Sequence, residues 1–323
     1  MDKPLVSIIT LVYNHAPFIR QCIESILMQK TTFPFELLIH DDASTDGSAD
    51  IIREYEAHYP NILKPVYQKE NQRSQGKSIL TKHVYPKIKG KYVAMCDGDD
   101  YWIDPLKLQK QVDFLESHLD YSICGGQYYD LVDEKNEIFK NIGMLRNMKN
   151  YPQGRTITLD KIFDDYILWL LTVCFKKEVI DEMMKIEVGR DDVIYAVALE
   201  MGKGFVFPDY FGVYRLHKGG IWTGTSYQKR METNEKLLTL MYPHFYKKSK
   251  SFRKWYYRDI TCLRFIELAN TKNLLKVYFK IISFTFSGSM DTFSYRLIFF
   301  FKMSFKYFIR FVKKSIGLKK ISV

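Results

Sequence analysis

The chain has 323 residues, of which 46% are apolar, 26% charged and 15% aromatic. That is the balance of a soluble globular protein with room for one large domain and an appendage. Its five cysteines, Cys22, Cys96, Cys124, Cys174 and Cys262, are widely spaced with no Cys-x-x-Cys, which argues against a disulfide framework and a structural zinc site and for reduced thiols in a cytosolic compartment. The net charge of +11 is uneven: residues 246–323 carry 18 Lys and Arg against 3 Asp and Glu, a net of +15, and the first 245 residues carry the remaining −4.

The start of the chain lacks the basic opening, long apolar centre and cleavage site of a signal peptide. No window approaches the ~20 apolar residues of a membrane span. Residues 5–13 read as a buried strand. Asn14 follows as an expected helix N-cap, with Pro17 in the first turn. Ile19, Cys22, Ile23, Ile26 and Leu27 then recur at helical spacing. Residues 35–40 form a second strand ending in Asp41-Asp42-Ala43-Ser44-Thr45-Asp46-Gly47-Ser48. A helix with Ile51, Ile52 and Tyr55 inward, a weaker strand over 62–67 and a weak helix over 78–87 lead to the strand 92–96. That strand runs straight into Asp97-Gly98-Asp99-Asp100.

The first hundred residues thus read β-α-β-α-β-α-β, which implies a mostly parallel sheet with right-handed crossovers. Strands one, two and four end in Asn14, Asp41-Asp42 and Asp97-Gly98-Asp99. The carboxyl edge of such a sheet is where ligands bind. Carboxylates this close repel unless a cation lies between them, and Mg²⁺ or Mn²⁺ on a diphosphate is the usual solution. The sequence contains neither the glycine fingerprint of dinucleotide binding nor a P-loop.

Pro105 opens a helix with Leu108, Val112 and Leu115 on one face. Residues 121–128 read as a strand, and 130–153, rich in Asn and Gly, as loop or an acceptor-side insertion. Residues 167–175 are strongly apolar. Gly189-Arg190-Asp191-Asp192 opens another helix, and 204–214 gives short strand pieces before His217-Lys218-Gly219-Gly220-Ile221-Trp222. Trp102 and Trp222 suit either stacking on a sugar face or the core. Beyond residue 228 the chain turns helical and basic.

Val6-Ser7-Ile8-Ile9-Thr10 with Tyr13-Asn14, the segment from Asp41 to Ser48, and Asp97-Gly98-Asp99-Asp100 resemble in order and spacing the motifs of glycosyltransferase family 2. The resemblance covers residues 4–225. It implies an α/β GT-A (Rossmann-like) fold and inverting transfer of a sugar from a nucleotide sugar, UDP- or GDP-linked, with Mg²⁺ or Mn²⁺. Carried over by position, Tyr13, Asn14, Asp41, Asp42 and Asp97 belong to donor binding, with Asp42 at the base and Asp97 near the ribose. Asp99 meets the metal, and His217 approaches the metal or diphosphate. Trp222 joins the donor side. Asp192 fills the place of the catalytic base. The Glu that often precedes it is here Asp191, which leaves open which carboxylate faces the acceptor.

The chemistry explains the pattern. The acceptor hydroxyl must lose a proton to a carboxylate within reach, while the leaving diphosphate gains charge that a cation offsets. A helix N-terminus keeps Asp192 ionised, although capping alone would also place Asp191 and Asp192 there. A nucleotidyltransferase would want a Gly-rich basic loop where Asn14-His15-Ala16-Pro17 stands. A catalytically dead sugar-nucleotide or glycan-binding module is the other alternative, and Asp99, Asp192 and His217 argue against it.

The expected organisation is a catalytic domain over 1–228 and a helical extension over 229–323. In the extension, residues 293–314 place Lys302, Lys306, Arg310 and Lys313 opposite Leu297, Phe301, Phe305, Phe308, Phe311 and Val312. This pattern suits an anionic membrane surface at the cytoplasmic face, or packing on the protein's own core. It carries no nucleic-acid motif. The expected partners are a nucleotide-sugar donor and a glycan or lipid-linked acceptor, in surface polysaccharide synthesis.

Overall fold

The computed structural model describes residues 3–75, 79–165, 167–186, 190–220, 225–257 and 259. By internal contacts the chain divides into Met1–Gly224 and Thr225–Val323.

The first unit is built on one mixed sheet in the order β3-β2-β1-β4-β9-β6-β10-β5. Strands β1 (Val6–Val12), β2 (Phe35–Asp41), β3 (Leu63–Tyr67) and β4 (Tyr92–Met95) are mutually parallel, as the alternation of elements predicts. Their central members are apolar on both faces, so both faces are covered: Val6, Ile8, Ile9 and Val12 are buried, as are Leu37, Leu38 and Ile39. Helix α1 (Ile19–Leu27) buries Ile19, Cys22, Ile23 and Ile26, and α2 (Ser48–His58) buries Ile52 and Tyr55. The weak helix expected over 78–87 is a π turn, Leu80–Val84, followed by a 3-10 turn, Tyr85–Lys87.

Beyond β4 the sheet changes direction three times. β9 (Cys174–Lys176) lies antiparallel between β4 and β6 (Tyr121–Val132), so β6 again runs parallel to β4. β10 (Lys203–Leu216) runs parallel to β6 along its length, with two register shifts between Val206 and Gly212. The pieces expected over 204–214 are therefore one long irregular strand. β5 (Tyr101–Trp102) pairs antiparallel at the far edge of β10, and β8 (Arg155–Ile157) pairs with its start.

The expected loop over 130–153 is ordered. It holds the end of β6, then β7 (Glu137–Lys140), antiparallel to β6, and α4 (Ile142–Met148). Helix α3 (Lys107–Ser117) buries Leu108, Val112 and Leu115 as expected. The remaining helices of this unit are α5 (Leu159–Asp165), α6 (Glu178–Met184) and α7 (Asp191–Met201).

Asn14 is not an N-cap. It adopts a left-handed φ of 56°, and its side chain accepts a hydrogen bond from Thr45 N (2.8 Å) instead of serving α1, which begins five residues later. Trp102 is core: it is buried, and its indole N–H donates to Leu171 O at 2.8 Å.

In the second unit α8 (Tyr227–Phe245) buries Leu237, Leu238, Met241 and Phe245. Among the described residues no helix is long and apolar enough to cross a membrane. The amphipathic segment 293–314 lies outside the described residues.

Candidate active site

The parallel sense of β1, β2, β4, β6 and β10 delivers five strand ends to one edge. Asn14 and His15 follow β1. Asp41 ends β2 and Asp42 follows it. Asp97, Asp99 and Asp100 follow β4, Asp133 follows β6, and His217 follows β10. Every described candidate residue except the Asp191-Asp192 pair thus reaches the site from this edge of the sheet, and that pair opens α7. Trp222 lies outside the described residues.

One half of the site is a pair of loops stapled together. Asn14 N donates to Ser44 Oγ and Ala16 N to Asp46 Oδ2, while His15 N donates to Ser48 Oγ. Ser44, Asp46 and Ser48 are therefore consumed in shaping the turn. Asp42 accepts hydrogen bonds from Gln72 N and Arg73 N (2.8 and 3.1 Å). Asp41 accepts from Ser44 N through one oxygen, and its other oxygen is buried without a hydrogen-bond partner among the described residues. Tyr13 is exposed beside them.

The other half centres on Asp99. Its Oδ2 lies 3.1 Å from His217 Nε2 and 3.9 Å from His15 Nε2. Burial works to raise the Asp99 carboxyl, but the hydrogen bond from His217 and the proximity of His15 outweigh it, and its pKa falls below the usual value. Asp97 has no such partner. Burial first, then Asp99 and Asp191, push it up to about 8, and its Oδ1 is a buried acceptor without a hydrogen bond among the described residues.

Arg215 ties this half together. Its backbone N–H donates to Asp100 Oδ1 (2.9 Å) and its Nε to Asp99 O (2.9 Å). One terminal nitrogen donates to Asp133 Oδ1 (2.8 Å) and the other to Gln21 Oε1 (2.6 Å). Its guanidinium also lies 4.7 Å from the centre of the Phe18 ring, which in turn meets the His217 ring edge-on at 4.8 Å. Arg215, His15 and Phe18 were not among the residues expected here. Tyr214-Arg215 beside His217 and His15 beside Asn14 were their only trace in the sequence.

Asp191 and Asp192 open α7 as expected, but their surroundings differ. Asp192 is 4% exposed, and its carboxylate is held by Arg190 Nη2 at 2.9 Å. Asp191 is more accessible. Burial and then Asp192 raise its pKa to about 6, and its charge is felt at Asp97. The structure thus joins Asp191, not Asp192, electrostatically to the carboxylates of the β4 edge.

The residues present fit a divalent cation shared with a diphosphate. Among the described residues no three His, Cys, Asp or Glu side chains form a cage. Mg²⁺, however, is commonly held by one or two carboxylates with substrate phosphates completing its shell. The Asp99 carboxylate, His217 and the orphaned Asp97 oxygen are donors of the required kind.

The family profile described as "Glycosyl transferase family 2" matches residues 7–170. The chain belongs to this family, and its mixed sheet flanked by helices is a GT-A-like fold. Residues 1–349 of TarS from S. aureus, solved with UDP-GlcNAc, superpose with a TM-score of 0.58 at 16% identity, covering 91% of this chain and 80% of that one. An uncharacterized protein of Mycobacterium bovis is 31% identical over 67% of this chain; the match spans 60% of that relative's length. A Bacillus subtilis protein named for teichuronic acid biosynthesis, TuaG, is 32% identical over 54% of this chain and 64% of its own length.

Proposed function

We propose that this chain transfers a sugar from a nucleotide-diphosphate sugar, UDP-linked as in the TarS complex, to a hydroxyl of a glycan or lipid-linked acceptor, with inversion, in surface polysaccharide synthesis. Membership of family 2, the TarS superposition and the likeness to TuaG support the class. The single observation that carries the chemistry is the division of the carboxylates into two groups. Asp97 and Asp99 stand at the strand edge with His217, and Asp191, on a different element, opens α7 within electrostatic reach of Asp97.

In this reading the loop pair around Asn14 and Asp42 binds the nucleoside. Asp99 and His217 hold Mg²⁺ or Mn²⁺, with Asp97 beside them. When bound, the metal supplies positive charge to the departing diphosphate. Asp191 takes the proton of the acceptor hydroxyl. Asp192 is the weaker candidate for base because its carboxylate is already spent on Arg190. A base works best with a pKa near the operating pH, and about 6 meets that condition for Asp191.

The test is a comparison of Asp191→Asn and Asp192→Asn in a nucleotide-sugar screen with added Mn²⁺. Asp191→Asn lowers transfer roughly 10²–10⁴-fold while donor binding, read by calorimetry, is retained. The opposite order would make Asp192 the base. Transfer that survives chelation would remove the metal role from Asp99. The sequence of residues 293–314 further supports contact of the tail with an anionic membrane at the cytoplasmic face.

A further inference from the structure

We infer that β7 and α4 form a second, independent membrane-facing surface, which seats the catalytic unit on an anionic lipid bilayer. Two large apolar side chains of α4 stand in solvent, Ile142 at 79% and Leu145 at 40% exposed, and the adjoining strand adds one of its two exposed neighbours, Ile138 (55%) or Phe139 (42%), which point to opposite faces. The helix is not simply ill-packed. Met144 and Met148, four residues apart, point inward and are buried, while Ile142 and Leu145, three apart, share the outer face. Its orientation is fixed at the start. Asn141 accepts from Met144 N as the N-cap and donates through Nδ2 to Asp130 Oδ2 at 2.7 Å.

Charge decides which partner fits. Residues 135–151 carry Lys135, Lys140, Arg146 and Lys149 against Glu137, a net of +3, inside a first 245 residues whose net is −4. Lys135, Arg146 and Lys149 are exposed, and their side chains form no hydrogen bond or ion pair among the described residues. Protruding apolar side chains rimmed by unneutralised cations match an anionic bilayer surface, which accepts the apolar tips below its headgroups and the cations at them. An acidic protein partner would use the charge but leave Ile142 without a counterpart.

The placement suits the chemistry. Asp133, which stands between β6 and β7, is held by Arg215. The surface is therefore rooted in the same hub as Asp99 and Asp100. Docked through β7 and α4, the cleft would face a layer in which a lipid-linked acceptor presents its hydroxyl. Only that last step rests on the proposed transfer reaction; the membrane contact itself does not.

The experiment is co-sedimentation of the full chain with vesicles of phosphatidylcholine, alone or mixed with phosphatidylglycerol. It compares the unchanged protein with Ile142→Asp/Leu145→Asp and with Lys140→Glu/Arg146→Glu/Lys149→Glu. Thermal melting and light scattering are run alongside. Both variants should melt as the unchanged protein does, because the altered side chains are exposed. Each should bind mixed vesicles about tenfold or more weakly at low salt, with donor hydrolysis intact. At high salt only the apolar variant should still differ, because charge is screened and apolar insertion is not. Unchanged vesicle binding by both variants would overturn the inference and leave the tail as the sole anchor. A shift in oligomeric state with vesicle binding unchanged would also overturn it, assigning the face to a second copy of the chain. Should the aspartate pair melt early, the charge variant alone decides.

Discussion

Arg215 shows how much of this site hangs on one side chain. Hydrogen bonds to charged groups are worth about 1.5–3 kcal/mol each. The Asp133 contact is of that kind, and the other bonds from the side chain fix Asp99 O and Gln21. Lysine keeps the charge but not the planar fork. Arg215→Lys should therefore weaken Mn²⁺ binding in the presence of nucleotide about tenfold, with a smaller loss of thermal stability. Calorimetric titration separates the two, because a residue that served only the fold would lower the melting point and leave metal affinity alone. At Asp191 the sign of the pH effect is set by a pKa raised to about 6. Below it the carboxyl holds its proton and cannot accept another. Transfer should rise with pH through about 6 and level off above, and Asp191→Asn should abolish that limb. That Asp41, Asp42, Asp97 and Asp99 share one edge of the sheet was legible because the strands they end are read from local pattern. Arg215 was not, since its partners Gln21, Asp99 and Asp133 lie 194, 116 and 82 residues away.

Elements were legible where one period dominated. The apolar runs of β1, β2 and β4 and the helical stripe of α1 are of that kind. Asn14 misleads because its side chain answers a loop 31 residues on, a bond no local pattern contains. β7 misleads because Glu137, Ile138, Phe139 and Lys140 are all exposed, so the strand lacks the alternation of a half-buried one. Helix α3 hides a cost its pattern does not reveal. Lys107 is fully buried, donates to Gln111 Oε1 at 2.8 Å and lies 4.0 Å from the centre of the Trp102 ring. Burial lowers its pKa to about 8, a penalty of about 3 kcal/mol at neutral pH. The unfolded chain binds this proton more tightly, so the penalty is complete below about pH 8 and fades as pH climbs toward the unfolded pKa. The stability of the unchanged protein relative to Lys107→Met should therefore improve between about pH 7 and pH 9.5, as read by urea midpoints. Parallel curves would show that the lysine keeps its ordinary pKa and stays charged in the folded protein across this range. Gly90 imposes a different constraint. A Cβ there would stand 2.5 Å from Ser7 N and 2.7 Å from Val6 C, both backbone atoms. Gly90→Ala should cost about 1–3 kcal/mol, visible as a lower melting temperature.

At the scale of the molecule, charge divides the chain more sharply than fold class does. Residues 246–323 hold a net of +15 and the remainder −4. Membrane association of the full chain should thus fall steeply between low and high salt, leaving an apolar residue of binding. Salt-independent sedimentation would show that charge plays no part. The two halves of the active site also differ in when they can exist. The loops proposed to cradle the nucleoside are joined by bonds spanning about 30 residues, Asn14 to Ser44 and Asp42 to Gln72. Asp99 meets His217 across 118. On a ribosome releasing roughly 5–20 residues each second, the nucleoside loops have all their partners within the first 73 residues. The pairing of Asp99 with His217 must wait for residue 217, roughly 7–30 seconds longer at those rates. During that interval the nascent chain carries the aspartates of the β4 edge without the histidine and arginine that later hold them. The proposed cation site is thus completed late in synthesis, after the loops around Asn14 and Asp42 have all their partners.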